Sequence, residues 1–144
     1  MEREKVCVVV GVGPGTGESL VRRFAEGGYR VAALARSEDE LEKLVDPIEG
    51  ATAHACDVTD AVQVSRVFEE IAEELGRVHT LIYNAGSGAF GTFDEVTPED
   101  LRSSWEVNTL GLFLTAKQVM GEMTSQGDGV IGITGATAST RGKP

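Results

Sequence analysis

Apolar and polar positions follow two different rhythms along this chain. Short strand-like runs recur at Val6–Val10, which is almost wholly apolar and rich in β-branched residues, and at Arg30–Leu34, Ala51–Ala55, Val78–Tyr83 and Val130–Thr134. The first of these is the pattern of a strand buried on both faces. Between them the spacing is helical, over Ser19–Ala25, Glu38–Val45, a segment from Thr59 or Asp60 to Gly76, and a long stretch from Thr97 to about Met123. Leu20, Phe24 and Ala25 share one side of the first of these. In the third, Val64, Val67, Phe68, Ile71 and Leu75 hold the helical period, while Glu69, Glu70, Glu73 and Glu74 form a solvated opposite side. In the last, Leu101, Trp105, Leu112, Ala116, Val119 and Met120 are predicted to form one apolar face. Punctuation agrees: Gly27-Gly28 stops a helix, Ser37 can cap the next, and Thr97-Pro98-Glu99-Asp100 combines a capping hydroxyl, an early proline and first-turn acids. Strictly alternating strands and helices predict an α/β, doubly wound parallel sheet of about five strands with helices on both faces.

The ends of the predicted strands carry the chemistry. After Val10 come glycines at Gly11, Gly13, Gly15 and Gly17, and a helix follows. In a strand–turn–helix unit, backbone N–H groups and a helix N-terminus can cradle a phosphate, and a Cβ would hold the phosphate off. The pattern fits a dinucleotide-binding βαβ unit, an S-adenosylmethionine-dependent methyltransferase, or a tight turn that binds nothing. The other strand ends are also polar or glycine-rich: Ala35-Arg36, Asp57, Asn84–Gly86 and Thr134–Ser139. In a sheet of this kind ligands bind at the carboxyl ends of the strands. An NAD-preferring fold or a methyltransferase would place an acid after the second strand to hold a ribose diol. This chain has Arg36, which can instead bind a 2′-phosphate bidentately. That favours NADP, with NAD the less favoured cofactor.

Composition narrows the partners. The chain has 144 residues, 41% hydrophobic and 25% charged, as in an ordinary globular protein, and a net charge of −10 without a basic cluster. Nucleic acid is therefore not an expected partner. No run approaches a membrane span, and the apolar stretch after MEREK is too short and glycine-broken for a signal peptide, so the expectation is a cytoplasmic protein with no membrane partner. Cys7 and Cys56 read as core thiols. His54, His79 and the loop acids Asp94 and Glu95 lack partners at metal-ligand spacing, so no metal site is expected.

In their order and spacing these motifs resemble the N-terminal part of the short-chain dehydrogenases/reductases, over essentially the whole chain, which is then a single NAD(P)-binding Rossmann domain at 1–144. Gly11-x-x-x-Gly15-Thr16-Gly17 is similar to that family's glycine turn, with Val10 in place of the usual threonine before it. Asp57-Val58 resembles the pair that contacts adenine, and Tyr83-Asn84-Ala85-Gly86 the family's N-A-G signature. Val107-Asn108-x-x-Gly111 resembles the helix carrying the active-site asparagine, and the apolar period places Asn108 on a buried face, between Trp105 and Leu112. The resemblance implies hydride transfer between the nicotinamide of NADP and a carbonyl or alcohol substrate, with Asn108 supplying a backbone carbonyl to a proton relay. It also implies a homo-oligomer formed through the 98–123 helix. Two departures stand against this. Ala136 takes the position of the family's catalytic serine, leaving Ser139 as the candidate substitute, and the family's Y-x-x-x-K pair would lie beyond Pro144. A chain without that pair is expected to bind cofactor while being catalytically silent by itself. The alternative is a non-catalytic NADP-binding or interaction protein that kept the fold and lost the chemistry.

Overall fold

The computed structural model describes residues 4–142; Met1–Arg3 of the charged N-terminus, and Lys143 and Pro144 of the last polar run, lie outside the described residues. Strands β1 (Val6–Val10), β2 (Arg30–Ala35), β3 (Ala51–Ala55), β4 (Val78–Tyr83) and β5 (Val130–Ile133) form one parallel sheet in the order β3-β2-β1-β4-β5. This is the Rossmann arrangement expected from the alternation of apolar runs. The order reverses between β1 and β4, which opens a crevice at their carboxyl ends.

Burial on both faces explains why β1 reads as a continuous apolar run, whereas β5 at the sheet edge is exposed or half-buried. Val6, Val8 and Val10 of β1 pack on one side against Val64, Val67 and Ile71 of α3 (Ala61–Glu74) and Val119 of α5 (Gly111–Gln126). Cys7 and Val9 point the other way, to Val21 of α1 (Thr16–Glu26) and to Leu41 and Val45 of α2 (Glu38–Val45). Each fully buried aliphatic side chain contributes about 1.5–3 kcal/mol. Both cysteines are free and buried, on opposite faces of the sheet. His54 is bonded to the Thr52 hydroxyl at 2.9 Å, and His79 to Lys5 Nζ and the Thr80 hydroxyl at 3.0 and 2.8 Å.

Of the expected capping side chains, those of α3 and α4 make their bonds and that of α2 does not. Asp60 accepts from the N–H groups of Val62 and Gln63, and Thr97 with Asp100 completes a capping box at the head of α4 (Pro98–Trp105). Ser37 occupies the N-cap of α2 without a side-chain bond, so the three acids Glu38, Asp39 and Glu40 are what complement that helix end. The first helix begins at Thr16 rather than Ser19, and β5 ends at Ile133 rather than Thr134.

The predicted long helix is corrected most. Three pieces replace it: α4, a π-helical turn over Glu106–Leu110, and α5. The π-turn closes i→i+5 bonds, one of them from Gly111 N–H to the Glu106 carbonyl. The extra residue offsets the faces of α4 and α5, so the apolar stripe expected from Leu101 to Met120 holds only in part, at Leu112, Ala116 and Val119. Leu101, Trp105 and Met120 are exposed, and the residues of α5 that reach the core are Gly111, Thr115 and Val119, with Leu112 and Ala116 half-buried beside them.

Candidate functional site

Register places the carboxyl ends of the strands together. Val10 lies beside Leu34 and Tyr83, Leu34 beside His54, and Tyr83 beside Ile133. The residues following each strand therefore converge on one edge of the sheet, around a cleft of about 570 Å³. Of the residues expected at the site, Gly11, Arg36, Asp57, Val58, Asn84, Ala85 and Gly86 line this cleft. Gly15, Thr16, Gly17, Asn108 and Ser139 do not.

The glycine turn is built from close contacts. Gly11 and Val12 both donate to the Leu34 carbonyl, at 2.9 and 3.0 Å, which draws the turn over β2. Gly11 has φ +88°, and a Cβ there would lie 2.3 Å from Ala85 N. At Gly17 a Cβ would lie 2.6 Å from the Gly11 carbonyl oxygen, so this glycine lets α1 pack onto the turn. Gly13 differs: it lines the cleft, its φ is ordinary, and a Cβ would meet nothing within 4 Å. At the head of α1 the N-cap Gly15 offers no side chain, and among the described residues no acceptor is bonded to the N–H groups of Thr16 and Gly17. Open glycine backbone and uncapped N–H donors are the two features an anionic ligand needs.

Three strand ends are laced by one side chain. Asn84 Nδ2 donates to the Gly11 carbonyl at 2.9 Å, and Asn84 Oδ1 accepts from the Thr134 hydroxyl at 2.8 Å. The main chain repeats the connection, with Asn84 N–H to the Val10 carbonyl and Thr134 N–H to the Tyr83 carbonyl. Asn84 thus ties β1, β4 and β5 with both ends of its amide, which is why a neutral donor–acceptor residue suits this position.

The other walls differ in how committed their side chains are. Arg36 is exposed at the end of β2 and has no ion pair or hydrogen bond among the described residues. Asp57 Oδ1 accepts from both the N–H and the hydroxyl of Thr59, at 3.0 and 2.8 Å. Burial, aided by the Asp57 charge, pushes the adjacent Cys56 thiol up to about 11, so it faces the cleft as an inert thiol.

Asn108 is exposed, not buried on an apolar face, because the π-turn carries it round toward the loop after β4. There its Oδ1 accepts from Ser87 N–H at 2.9 Å and its Nδ2 donates to the Ser87 carbonyl. Its neighbours Ser103, Glu106 and Val107 line the cleft and were not expected to. Their spacing of one helical turn was the available signal. Ser139 sits in a short 3-10 turn, where its hydroxyl donates to the Ala136 carbonyl at 2.7 Å, away from the cleft lining.

The family model described as short chain dehydrogenase matches residues 5–144. The 3-oxoacyl-(acyl-carrier-protein) reductase of Homo sapiens is 34% identical over 140 residues, covering 96% of this chain and 59% of the relative. A D-threitol dehydrogenase of Mycolicibacterium smegmatis is 31% identical, with 94% of this chain and 54% of that protein covered. Among solved structures, an actinorhodin polyketide ketoreductase with NADPH superposes with a TM-score of 0.92 at 29% identity, covering 97% of this chain and 56% of the other. An alcohol dehydrogenase from the archaeon Thermococcus sibiricus, complexed with 5-hydroxy-NADP, gives 0.89 at 33% identity, over 98% and 62%. The chain spans little more than half the length of the curated relatives it matches.

Proposed function

The chain belongs to the short chain dehydrogenase family of oxidoreductases, and we propose that it is the NADP-binding part of an enzyme that moves a hydride between nicotinamide and a carbonyl or alcohol substrate. The observation that carries this reading is a cleft lined by the open backbone of Gly13 and by Arg36, whose guanidinium has no partner among the described residues, with the uncapped N–H groups of Thr16 and Gly17 at the helix start that follows the same turn. The residues fit the cofactor. The turn and the head of α1 would take the pyrophosphate, Asp57 and Val58 the adenine, and Arg36 the 2′-phosphate that distinguishes NADP from NAD. The bound nicotinamide supplies the hydride acceptor or donor.

The names of relatives agree in kind: a ketoreductase with NADPH and an alcohol dehydrogenase with an NADP derivative both superpose on this chain. On the protein side, Asn108 has its amide committed to Ser87, so the group it can offer a proton relay is its main-chain carbonyl. Ala136 and the tied Ser139 leave the usual serine position without a free hydroxyl. This favours a second reading, a binding protein without chemistry, and both readings expect residues 1–144 to be silent in catalysis. The homo-oligomer expected through the 98–123 segment is in keeping with Leu101, Trp105, Phe113 and Met120, which are exposed along it.

The test is a fluorescence titration with NADPH and NADH. A guanidinium–phosphate bond is worth about 1.5–3 kcal/mol, which corresponds to roughly tenfold or more in affinity. NADPH is expected to bind tighter by that factor, and Arg36→Ala to abolish the difference. Equal affinities in the unmutated chain would overturn the assignment. Oxidation of NADPH with a panel of aldehydes and ketones separates the two readings from a competent enzyme: the chain is expected to stay at buffer background.

A further inference from the structure

Tyr83 is buried at the carboxyl end of β4, yet its hydroxyl makes a polar contact that no sequence motif accounts for. It donates to the main-chain carbonyl of Val107, inside the π-turn. The helix is shaped to receive it. Gly111 begins α5 directly above the phenol, and a Cβ there would lie 2.3 Å from Tyr83 Oη and 2.8 Å from the Val58 side chain. Burial raises the Tyr83 hydroxyl to about 12, so it remains a proton donor across the physiological range. A π-turn adds one residue to a helical turn and is rare, occurring mostly as a single bulge within an α-helix. Here two groups on the β4 side grip the turn from neighbouring positions: Tyr83 on Val107, and the Ser87 main chain on Asn108.

We propose that Tyr83 is a positioning residue that holds the 106–110 turn in its π register through Val107, and thereby sets Asn108 on Ser87 and places Val107 in the cleft wall. Tyr83 does not line the cleft and acts on it only through this turn. Without the hydroxyl, relaxation to α-helical spacing would rotate Asn108 by about 100° and part it from Ser87. The consequence for cofactor binding rests on the function proposed above, whereas the link from Tyr83 to Ser87 does not.

The experiment compares Tyr83→Phe with Asn108→Ala by amide hydrogen exchange and NMR on the full chain. Asn108→Ala removes the acceptor of Ser87 N–H and sets the scale for full loss. Tyr83→Phe, which touches neither Ser87 nor Asn108, is expected to speed Ser87 exchange to the same rate and to shift the Asn108 side-chain amide signals toward those of a free amide. A core variant, Val64→Ala, is the control for general destabilisation and is expected to leave the Ser87 and Asn108 signals in place. Gly111→Ala is the second variant, because its Cβ displaces the phenol while helix propensity favours alanine. It is expected to give the Tyr83→Phe signature, including in the event that Tyr83→Phe does not fold. Unchanged Ser87 exchange in either folded variant overturns the proposal. NADPH affinity is measured alongside and is expected to fall severalfold in Tyr83→Phe. If the unmutated chain binds no NADPH while Ser87 still responds, the functional reading fails and the positioning role stands.

Discussion

Gly11 and Gly13 are close neighbours in one turn and are expected to fail in opposite ways. At Gly11 an added Cβ would lie 2.3 and 2.5 Å from Ala85 N and Cα and 2.7 Å from the Asn84 carbonyl carbon. All three atoms are main chain, so no rotamer change relieves the overlap, and φ of +88° adds its own penalty. Left-handed backbone costs a residue with a Cβ about 1–2 kcal/mol, and overpacking a close contact about 1–3 kcal/mol. Gly11→Ala is thus expected to lose about 2–5 kcal/mol, a large share of the roughly 5–15 kcal/mol that a domain of this size holds. With a urea slope of about 1–3 kcal/mol per molar, the unfolding midpoint should fall by about 1–2 M. At Gly13 an added Cβ meets no protein atom within 4 Å and φ is ordinary, so Gly13→Val should change stability by no more than the roughly 0.5 kcal/mol of a surface substitution. Its two methyl groups stand in the cleft, and NADPH affinity is expected to drop at least tenfold. Gly15 cannot give so clean a result, because it is open but holds φ +108°, which mixes strain with obstruction. Circular dichroism in urea and a fluorescence titration read the two effects separately. If Gly11→Ala is as stable as the unmutated chain, the close approach of the turn to Ala85 is refuted. If Gly13→Val binds NADPH undiminished, the turn is structural only.

Two further outcomes follow from buried titrating groups. The thiols of Cys7 and Cys56, raised to about 12 and about 11 chiefly by burial, should resist iodoacetamide at pH 8 and react only in denaturant; rapid labelling of Cys56 in the native chain would contradict its burial beside the cleft. Burial lowers the His54 pKa below its ordinary 6.5, against the opposing charges of Glu74 and Glu70. The unfolded chain then takes up the proton first, so this contribution to stability is present above about pH 6.5 and is lost as pH falls through the folded value. The urea midpoint of His54→Gln should accordingly change less between pH 7 and pH 5 than that of the unmutated chain, and equal changes would refute the argument.

The sheet and the glycine turn were legible because the signals that specify them are local. A strand buried on both faces is apolar wherever its side chains have no hydrogen-bond partner, and β1 is apolar throughout. A turn so close to Ala85 that a Cβ would lie 2.3 Å from its N must be glycine at Gly11, and it is. Parallel register then aligns the strand ends without further information, which is how Arg36, Asp57 and Asn84, far apart in sequence, come to line one cleft. Gly13 shows the limit of the same reasoning. It appears in the pattern with the other glycines, but only the structure separates the glycine needed by the fold from the one left open to a ligand.

Over the segment from Thr97 to about Met123 the periodicity fails for a physical reason. Helical periodicity assumes a constant rotation of about 100° per residue, and under it Trp105, Asn108 and Leu112 share a face. A single i→i+5 turn adds one residue, so the faces before and after it are offset by roughly that same angle. Leu112, Ala116 and Val119 keep to the core side, while Leu101 and Trp105 before the turn do not. Nothing in the residues Glu106–Leu110 announces such a turn, since its causes lie elsewhere: the phenol of Tyr83 below it and the main chain of Ser87 beside it. The consequences run in both directions from that one residue. The side chains that should have been core, Trp105 and Met120, face outward at 53% exposure, while Thr115 is fully buried, its hydroxyl bonded to the Gly111 and Leu112 carbonyls. Asn108 reaches the loop after β4 instead of an apolar interior that could not have satisfied its amide. A side chain read as a buried polar exception is thus the point at which the helix is fastened to the mouth of the cleft.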